Sequence, residues 1–243
     1  MKVVWVVSFY NSAHLLPLFF KCLKRLSPQP DLYLFTENNS TDRTLAMLAN
    51  VKAPHEIIRL WFAKDAIART NGEVPLALTR QTVLARLRQL KPDYAFFCDS
   101  DVLVHSHDAI PCLISYDYDL VGASVARFFP EGLALAVKWQ RKDGSYQLRT
   151  HLDFPFDDTI AMVGFGLVCI KDEVLQDKRI NFYPLLPALS PDGTTGNDFG
   201  YCIRMKQHGY KIAIEGLVDA EHIIYDYHHE VKPWTVGKPF MYV

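Results

Sequence analysis

Short apolar runs alternate with amphipathic segments along the first hundred residues. Nearly unbroken runs of β-branched and aromatic residues, such as VVWVVS, are typical of strands buried on both faces of a parallel sheet. The segments between them carry apolar residues at helical spacing. This β-α-β-α-β-α-β order predicts a parallel sheet covered by helices on both faces. The predicted strands are 3–8, 31–36, 55–62 and 93–98, and the predicted helices are 11–26, 38–51 and 72–90.

The pattern is looser after residue 101. The stretch 138–149 has no clear period, and 182–196 is rich in proline and glycine, which predicts a loop. We therefore expect a single α/β domain over 1–243, with a Rossmann-like, mixed and mostly parallel sheet flanked by helices. The predicted strands of this part are 118–126, 160–170, 211–214 and 217–223, and the predicted helices are 106–115 and 197–209.

Composition narrows the class of protein. The chain has 243 residues, of which 49% are hydrophobic, and its net charge is -1, so no overall field would attract nucleic acid or an anionic membrane. The N-terminal apolar run is too short for a signal peptide or a membrane span. Five scattered cysteines suit buried thiols in a reducing compartment. We expect a cytoplasmic protein without an integral membrane segment, and peripheral attachment to a membrane stays open.

Two acids, Asp99 and Asp101, directly follow the fourth predicted strand. Ligands of such sheets bind beyond the carboxyl ends of the strands, and residues two apart in an extended segment point the same way. Two carboxylates this close repel each other unless a cation joins them. Mg²⁺ or Mn²⁺ typically binds one or two carboxylates together with substrate phosphates. The alternative is that both acids cap a helix near residue 106 or lie in a solvated turn.

Polar clusters also follow the first two strands, SFYN at 8–11 and ENNSTDRT at 37–44. All three clusters would meet at one edge of the sheet. Two later segments, GFGLVCIKDEVL at 164–175 and TGNDFGYCIRMKQHGYKI at 195–212, complete the series. In this order the motifs resemble those of GT-A glycosyltransferases, especially glycosyltransferase family 2. The resemblance implies the GT-A fold and a nucleotide-diphosphate sugar as donor.

The resemblance also implies roles for individual residues. Asp198 corresponds by its place in the motif to the general base of inverting members. Such a base is needed because a sugar hydroxyl must lose its proton to a carboxylate as it attacks. Apart from the resemblance, Phe128, Trp139 and Phe165 could stack on sugar rings, and the alternative is that they belong to the core, as aromatic side chains more often do in a chain that is 13% aromatic. The implied nucleotide-sugar contacts are Ser8, Asn11, Glu37, Asn39, Arg80, Asp99, Ser100 and Gly166; the implied metal ligands are Asp99, Asp101 and His222; the implied acceptor contacts are Trp139, Phe165 and Asn197.

The chain departs from the family at several of these positions. The first motif lacks the usual proline, Glu37 replaces the first acid of the second motif, and Asn197 and Gly200 replace two acids beside Asp198. Arg80 could instead lay its stem along the apolar helix face or form an ion pair with an acid, with Arg69 as a second candidate for the nucleotide. Helix capping is the structural alternative for Ser40, Thr41, Asp42 and Thr44.

The resemblance thus predicts a glycosyltransferase that uses Mn²⁺ or Mg²⁺ and transfers a sugar with inversion, its nucleotide-binding half at 1–101 and its acceptor-binding half at 102–243. The acceptor would be a hydroxyl of a glycan, a lipid-linked molecule or a small molecule. A retaining enzyme stays open if Asp198 orients a substrate. A sugar-nucleotide nucleotidyltransferase stays open as well, and so does a non-catalytic carbohydrate-binding or scaffold protein with a decayed site.

Overall fold

The computed structural model describes residues 1–63, 73–129, 132–135, 137–140, 146–148, 156–183 and 196–223. The strands are β1 (Val3–Phe9), β2 (Leu32–Asn38), β3 (His55–Leu60), β4 (Tyr94–Asp99), β5 (Val102–Val104), β6 (Leu120–Ala123), β7 (Ala126–Phe129), β8 (Gly132–Leu135), β9 (Val137–Gln140), β10 (Tyr146–Leu148), β11 (Phe156–Asp157), β12 (Met162–Val163), β13 (Leu167–Lys171), β14 (Ile212–Glu215) and β15 (Ala220–His222). The helices are α1 (Leu16–Leu23), α2 (Thr44–Leu48), α3 (Glu73–Leu90), α4 (Ala109–Ile114), α5 (Asp172–Gln176) and α6 (Asn197–Gln207).

The N-terminal part forms the parallel half of the main sheet. In the described residues this sheet has the strand order β11-β14-β6-β13-β4-β1-β2-β3. β1 pairs in parallel with both β2 and β4, and β2 pairs in parallel with β3. Residue Ser8 lies opposite Asp99, and Phe9 lies opposite Glu37. The predicted β-α-β-α-β-α-β order is confirmed, and the carboxyl ends of β1, β2 and β4 meet at one edge.

The rest of the main sheet is mixed. β13 runs antiparallel to β4 and β6, whereas β14 runs parallel to β6. The prediction of one strand at 160–170 is wrong, because the segment splits into β12, which pairs with β9, and β13, which belongs to the main sheet. The stretch expected to be irregular contains β9 and β10. The strands β5, β15, β7 and β8 form a second, smaller sheet in that order.

Several helix starts differ from the prediction because polar side chains hold loops there. α1 begins at Leu16, and the N–H of Ser12 donates to Thr44 Oγ1 at 2.8 Å. Neither Ser40 nor Thr41 caps α2, whose N-cap residue is Arg43. Asp42 does act at this helix start, because its Oδ1 accepts from the N–H of Thr44, the first residue of α2, at 2.9 Å. β5 lies between Asp101 and α4, so the alternative that the two acids cap this helix is also wrong.

The main sheet is buried on both faces, as its continuous apolar strands predict. One hydrophobic cluster includes Leu84 of α3 and Tyr201 of α6. The other includes residues of α1 and the stacked rings of Trp5 and Phe96, whose centroids are 5.1 Å apart. All five cysteines are free, and four of them are buried, which agrees with the expectation of buried thiols. No helix in the described ranges is long and apolar enough to cross a membrane.

Replacing Gly122 by alanine should destabilise the fold. Gly122 lies in β6 between β13 and β14, and an added Cβ would lie 2.5 Å from Cγ2 of the buried Val163. Because a branched core side chain cannot move far, we expect Gly122→Ala to lower the free energy of unfolding by about 1–3 kcal/mol. Urea unfolding measures this change.

The matched control is the double variant Gly122→Ala/Val163→Ala, compared with Val163→Ala alone. Removing the Val163 methyl groups makes room for the new Cβ, so Gly122→Ala should cost much less in that background. Equal costs in the two backgrounds would show that the contact with Val163 is not the cause.

Candidate functional site

The candidate site is built around the end of β4, in the middle of the main sheet. The backbone N–H of Asp99 donates to the carbonyl of Gly166 at 3.0 Å, and Asp99 lies opposite Ser8 of β1. Ser100 and Asp101 form a turn that leads into β5. The two acids are therefore joined by a turn, and the extended segment that the sequence suggested is wrong.

Asp99 forms an ion pair with Arg80 of α3. Arg80 Nη2 lies 3.2 Å from Asp99 Oδ1, and Arg80 Nη1 donates to Asn197 Oδ1 at 2.5 Å. The guanidinium carbon lies 5.2 Å from the ring centroid of Phe165. Arg80 is only 5% exposed, whereas the Asp99 side chain is 40% exposed. Arg80 thus connects β4, the first residue of α6 and the segment before β13 from inside the protein.

Asp101 lies beside His222, which is 121 residues later in the chain. Asp101 Oδ2 and His222 Nε2 are 3.5 Å apart, and the two side chains are 34% and 8% exposed. β5 and β15 are antiparallel, with Val102 opposite His222. The N–H of Ile223 donates to the carbonyl of Asp101 at 2.7 Å. The backbone pairing of two short strands therefore brings the predicted ligands together.

The donor atoms at this edge fit a divalent cation that also binds a substrate. In the part of the chain that the structure describes, no group of three or more His, Cys, Asp or Glu side chains could hold a metal ion, so a bound substrate would have to supply further ligands. Asp101 and His222 offer one carboxylate and one imidazole, a combination that Mn²⁺ accepts, and diphosphate oxygens could complete its coordination. Burial, with the charges of Asp99 and Asp101, raises the pKa of the neighbouring Cys98 thiol well above its usual value, so this thiol stays neutral.

A cavity of about 220 Å³ opens beside the acidic turn. Its walls come from β1, β2, α3 and the turn after β4, so it lies where the strand ends meet. The residues that line it are Ser8, Phe9, Tyr10, Asn38, Phe62, Pro75, Leu76 and Ser100. The sequence reasoning missed Asn38, although its place directly after the buried part of β2 could have identified it. The mainly apolar walls and few polar groups suit a flat ring with polar edges.

Glu37 is used inside the fold. It is 1% exposed, its Oε1 accepts from the N–H of Ser40 at 2.7 Å, and its Oε2 accepts from Nε of Arg59 at 3.2 Å. The guanidinium of Arg59 in turn lies 5.2 Å from the ring centroid of Trp61. The predicted contact between Glu37 and a nucleotide finds no support in this geometry, because both carboxylate oxygens already hold protein groups.

Asn11 and Asn39 also hold loops. Both have positive φ angles, 47° and 53°, a conformation that asparagine tolerates better than most residues. Asn39 pairs its amide with the backbone N–H and carbonyl of Phe62, each at 2.8 Å. The N–H of Asn11 donates to Ser40 Oγ at 3.0 Å, and its Oδ1 accepts from the N–H of Thr41 at 2.8 Å. These bonds fix the loops beside the cavity and count against the predicted contacts of both amides with a nucleotide.

The residues predicted for catalysis and for acceptor binding differ in their surroundings: Asp198 lies at the start of a helix, whereas Asn197 and Phe165 are buried. Asp198 is the second residue of α6, and its Oδ1 accepts from the N–H of Phe199 at 2.8 Å. Asn197 is 2% exposed and bound to Arg80. The Phe165 ring is 1% exposed and packs against Phe97, Phe182 and Tyr201. Stacking of Phe165 on an acceptor is therefore not supported, because its ring belongs to the core.

For three further predicted residues, the side chain or the whole residue lies outside the described part of the chain. The backbones of Trp139 and Phe128 are in β9 and β7, and their side chains are outside the described part of the chain. Arg69 is also outside the described residues. The roles proposed for these three residues stay predictions.

Comparisons with known proteins identify the fold. No protein-family model and no curated protein sequence matches the chain. Among solved structures, A197 from STIV has a TM-score of 0.53 at 15% identity, over 93% of this chain and 87% of A197. TarS 1–349 from S. aureus, in complex with UDP-GlcNAc, has a TM-score of 0.59 at 14% identity, over 94% of this chain. The mannosyltransferase PcManGT from Pyrobaculum calidifontis, in complex with GDP-Man and Mn²⁺, has a TM-score of 0.54 at 14% identity, over 88% of this chain.

These similarities show that the chain has the GT-A glycosyltransferase fold, and they confirm the fold that the sequence resemblance implied. The chain spans 60% of the length of TarS 1–349 and 56% of the length of PcManGT.

Removing the Glu37 carboxylate should destabilise the fold. Glu37→Ala leaves the N–H of Ser40 and the guanidinium of Arg59 without their acceptor, so we expect the free energy of unfolding to fall by about 2 kcal/mol or more. Asp117→Ala is the control, because Asp117 makes a single ion pair among the described residues, with Lys171 at 2.6 Å, and is 97% exposed. Surface pairs of this kind contribute little. Equal losses in urea unfolding would contradict the structural role of Glu37.

Proposed function

We propose that this protein is a glycosyltransferase that moves a sugar from a nucleotide-diphosphate donor to an acceptor hydroxyl with the help of a divalent cation. The observation that carries the proposal is the pairing of Asp101 with His222 at 3.5 Å beside Asp99, at the end of the central strand of a GT-A sheet. This edge is where an α/β sheet binds its ligands.

The donor class follows from the cavity and the acids together. The 220 Å³ cavity beside Ser100 has room for a ring, and the acidic turn next to it would meet the diphosphate. Carboxylates repel phosphate oxygens unless a cation lies between them. Solved structures with the same fold hold UDP-GlcNAc or GDP-Man, so uridine and guanosine diphosphate sugars are the first donors to test.

The residues divide the chemistry between them. Asp99, Asp101 and His222 would hold the cation, which when bound neutralises negative charge on the leaving diphosphate. The walls of the cavity would orient the nucleotide and exclude water from one side of it. Asp198 lies in the first turn of α6. Its carboxylate would take the proton of the acceptor hydroxyl as that oxygen attacks the anomeric carbon, and the product would then have the inverted configuration.

Asp101→Ala should abolish the effect of the metal on donor binding. We expect wild-type protein to bind UDP or GDP more tightly in the presence of Mn²⁺, and the variant to lose this enhancement, a drop of about tenfold or more in affinity. Isothermal titration calorimetry of UDP and GDP, with Mn²⁺ and with chelator, measures it. Asp108→Ala is the matched control, because Asp108 also lies beside a histidine, His107 at 3.4 Å, but on the exposed start of α4.

The same titration, together with an assay of pyrophosphate release, distinguishes the proposed function from the alternative functions. If neither nucleotide binds in the presence or absence of Mn²⁺, the protein does not use a uridine or guanosine diphosphate sugar, and a non-catalytic protein is favoured. Release of pyrophosphate from a nucleoside triphosphate would instead indicate a nucleotidyltransferase. If Asp101→Ala and Asp108→Ala behave alike, the acidic turn is not the metal site.

Asp198→Asn should slow transfer without weakening the donor. Loss of a general base typically lowers kcat by about 10²- to 10⁴-fold, while the affinity for UDP with Mn²⁺ should stay near the wild-type value. Turnover of UDP-GlcNAc and GDP-Man and the anomeric configuration of the product, read by NMR, provide the measurement. A product that keeps the donor configuration would contradict the role of Asp198 as base and favour a retaining enzyme.

A further inference from the structure

The Arg80 guanidinium is a buried positive charge in contact with one of the predicted metal ligands. It lies 3.2 Å from Asp99 and is held on its other side by Asn197. A cation at this carboxylate would have to share Asp99 with Arg80. The arrangement therefore bears on when a metal can bind, which the proposed function leaves open.

We propose that Arg80 competes with the divalent cation for Asp99, so that the cation binds effectively only together with the donor diphosphate. The proposal rests on the proposed function, because it concerns the same metal site. Arg80 acts here as a positioning residue. It holds the acid and sets the charge of the site, and it does not contact the reacting atoms.

Burial makes Arg80 a strong competitor. Its residue is 5% exposed, so water screens its charge poorly. Arginine keeps its proton in proteins, which means that the charge cannot be relieved by deprotonation. Packing over the Phe165 ring and the bond to Asn197 hold the guanidinium in place. An opposite charge this close typically lowers the affinity of a carboxylate for another cation by about tenfold or more.

Asn197 determines how much of the positive charge of Arg80 is left to interact with Asp99. Its side-chain oxygen accepts a hydrogen bond but carries no negative charge, so it does not neutralise the guanidinium. An aspartate at the same place would present a second carboxylate to Arg80 and would leave more of the Asp99 charge for a metal. The neutral residue thus keeps the site weak for a free cation. The negative charges of a diphosphate would offset this and allow both to bind.

Binding of Mn²⁺ to the free protein tests the proposal. Electron paramagnetic resonance measures free Mn²⁺ with wild-type protein, alone and with UDP or GDP. We expect weak binding alone and binding at least about tenfold tighter with the nucleotide. Tight binding of Mn²⁺ by the wild-type protein without nucleotide would overturn the proposal, whatever the variants do.

Two variants identify Arg80 as the cause. Asn197→Asp keeps Arg80 and should tighten Mn²⁺ binding to the nucleotide-free protein by about tenfold. Arg80→Met removes the competing charge and should act in the same direction. Because Arg80→Met also removes buried hydrogen bonds, circular dichroism is recorded first, and Asn197→Asp decides the outcome if Arg80→Met does not fold. The controls are Arg86→Met, which removes a partly exposed charge from the same helix, and Asn50→Asp, which adds a charge at an exposed position just after α2.

The outcomes separate this proposal from the proposed function. Tighter Mn²⁺ binding in Asn197→Asp, with both controls unchanged, supports the competition. Unchanged or weaker Mn²⁺ binding in Asn197→Asp, while nucleotide still enhances binding in the wild type, overturns the competition and leaves the glycosyltransferase proposal in place. Failure of Mn²⁺ and nucleotide to bind in any form of the protein would overturn both.

Discussion

The position of β4 between β1 and β13 is the constraint on which the candidate site depends. Parallel pairing with β1 places Asp99 level with Ser8, and antiparallel pairing with β13 places Gly166 next to the Asp99 backbone. A shift of one residue in either pairing would turn the Asp99 side chain to the other face of the sheet. The apolar runs that bury both faces of the sheet therefore also determine where the acid points.

A second, smaller sheet completes the site. β5 leaves the acidic turn and pairs with β15, so that His222 comes to lie beside Asp101. The two sheets thus meet at the turn formed by Ser100 and Asp101. The main sheet positions Asp99, and the smaller sheet positions His222 beside Asp101. Backbone hydrogen bonds hold both acids in place, which means that little backbone entropy remains to be lost when a ligand binds.

The sequence predicted the parallel half of the fold and the place of the acidic pair, because both follow from local patterns. Apolar runs identify buried strands, and the ends of parallel strands share one edge. It did not predict that 160–170 contributes to two sheets, nor that 138–149 contains strands. Those pairings depend on partners far away in the chain. An ion pair of Arg80 with an acid was one of the alternatives, and the structure confirms it. The sequence did not identify its partners, because Asp99 and Asn197 come from separate elements.

The roles that the family motifs implied find least support at positions where the side chain is buried. Glu37 has one methylene more than the acid that the motif usually has, and this length lets its carboxylate reach both Ser40 and Arg59 from the end of β2. A buried carboxylate needs such partners, because an unsatisfied one is costly. Once they are found, few lone pairs are left for a ligand. Asp99 and Asp101, by contrast, stay partly exposed, at 40% and 34%, so burial does not oblige the fold to use all of their oxygens.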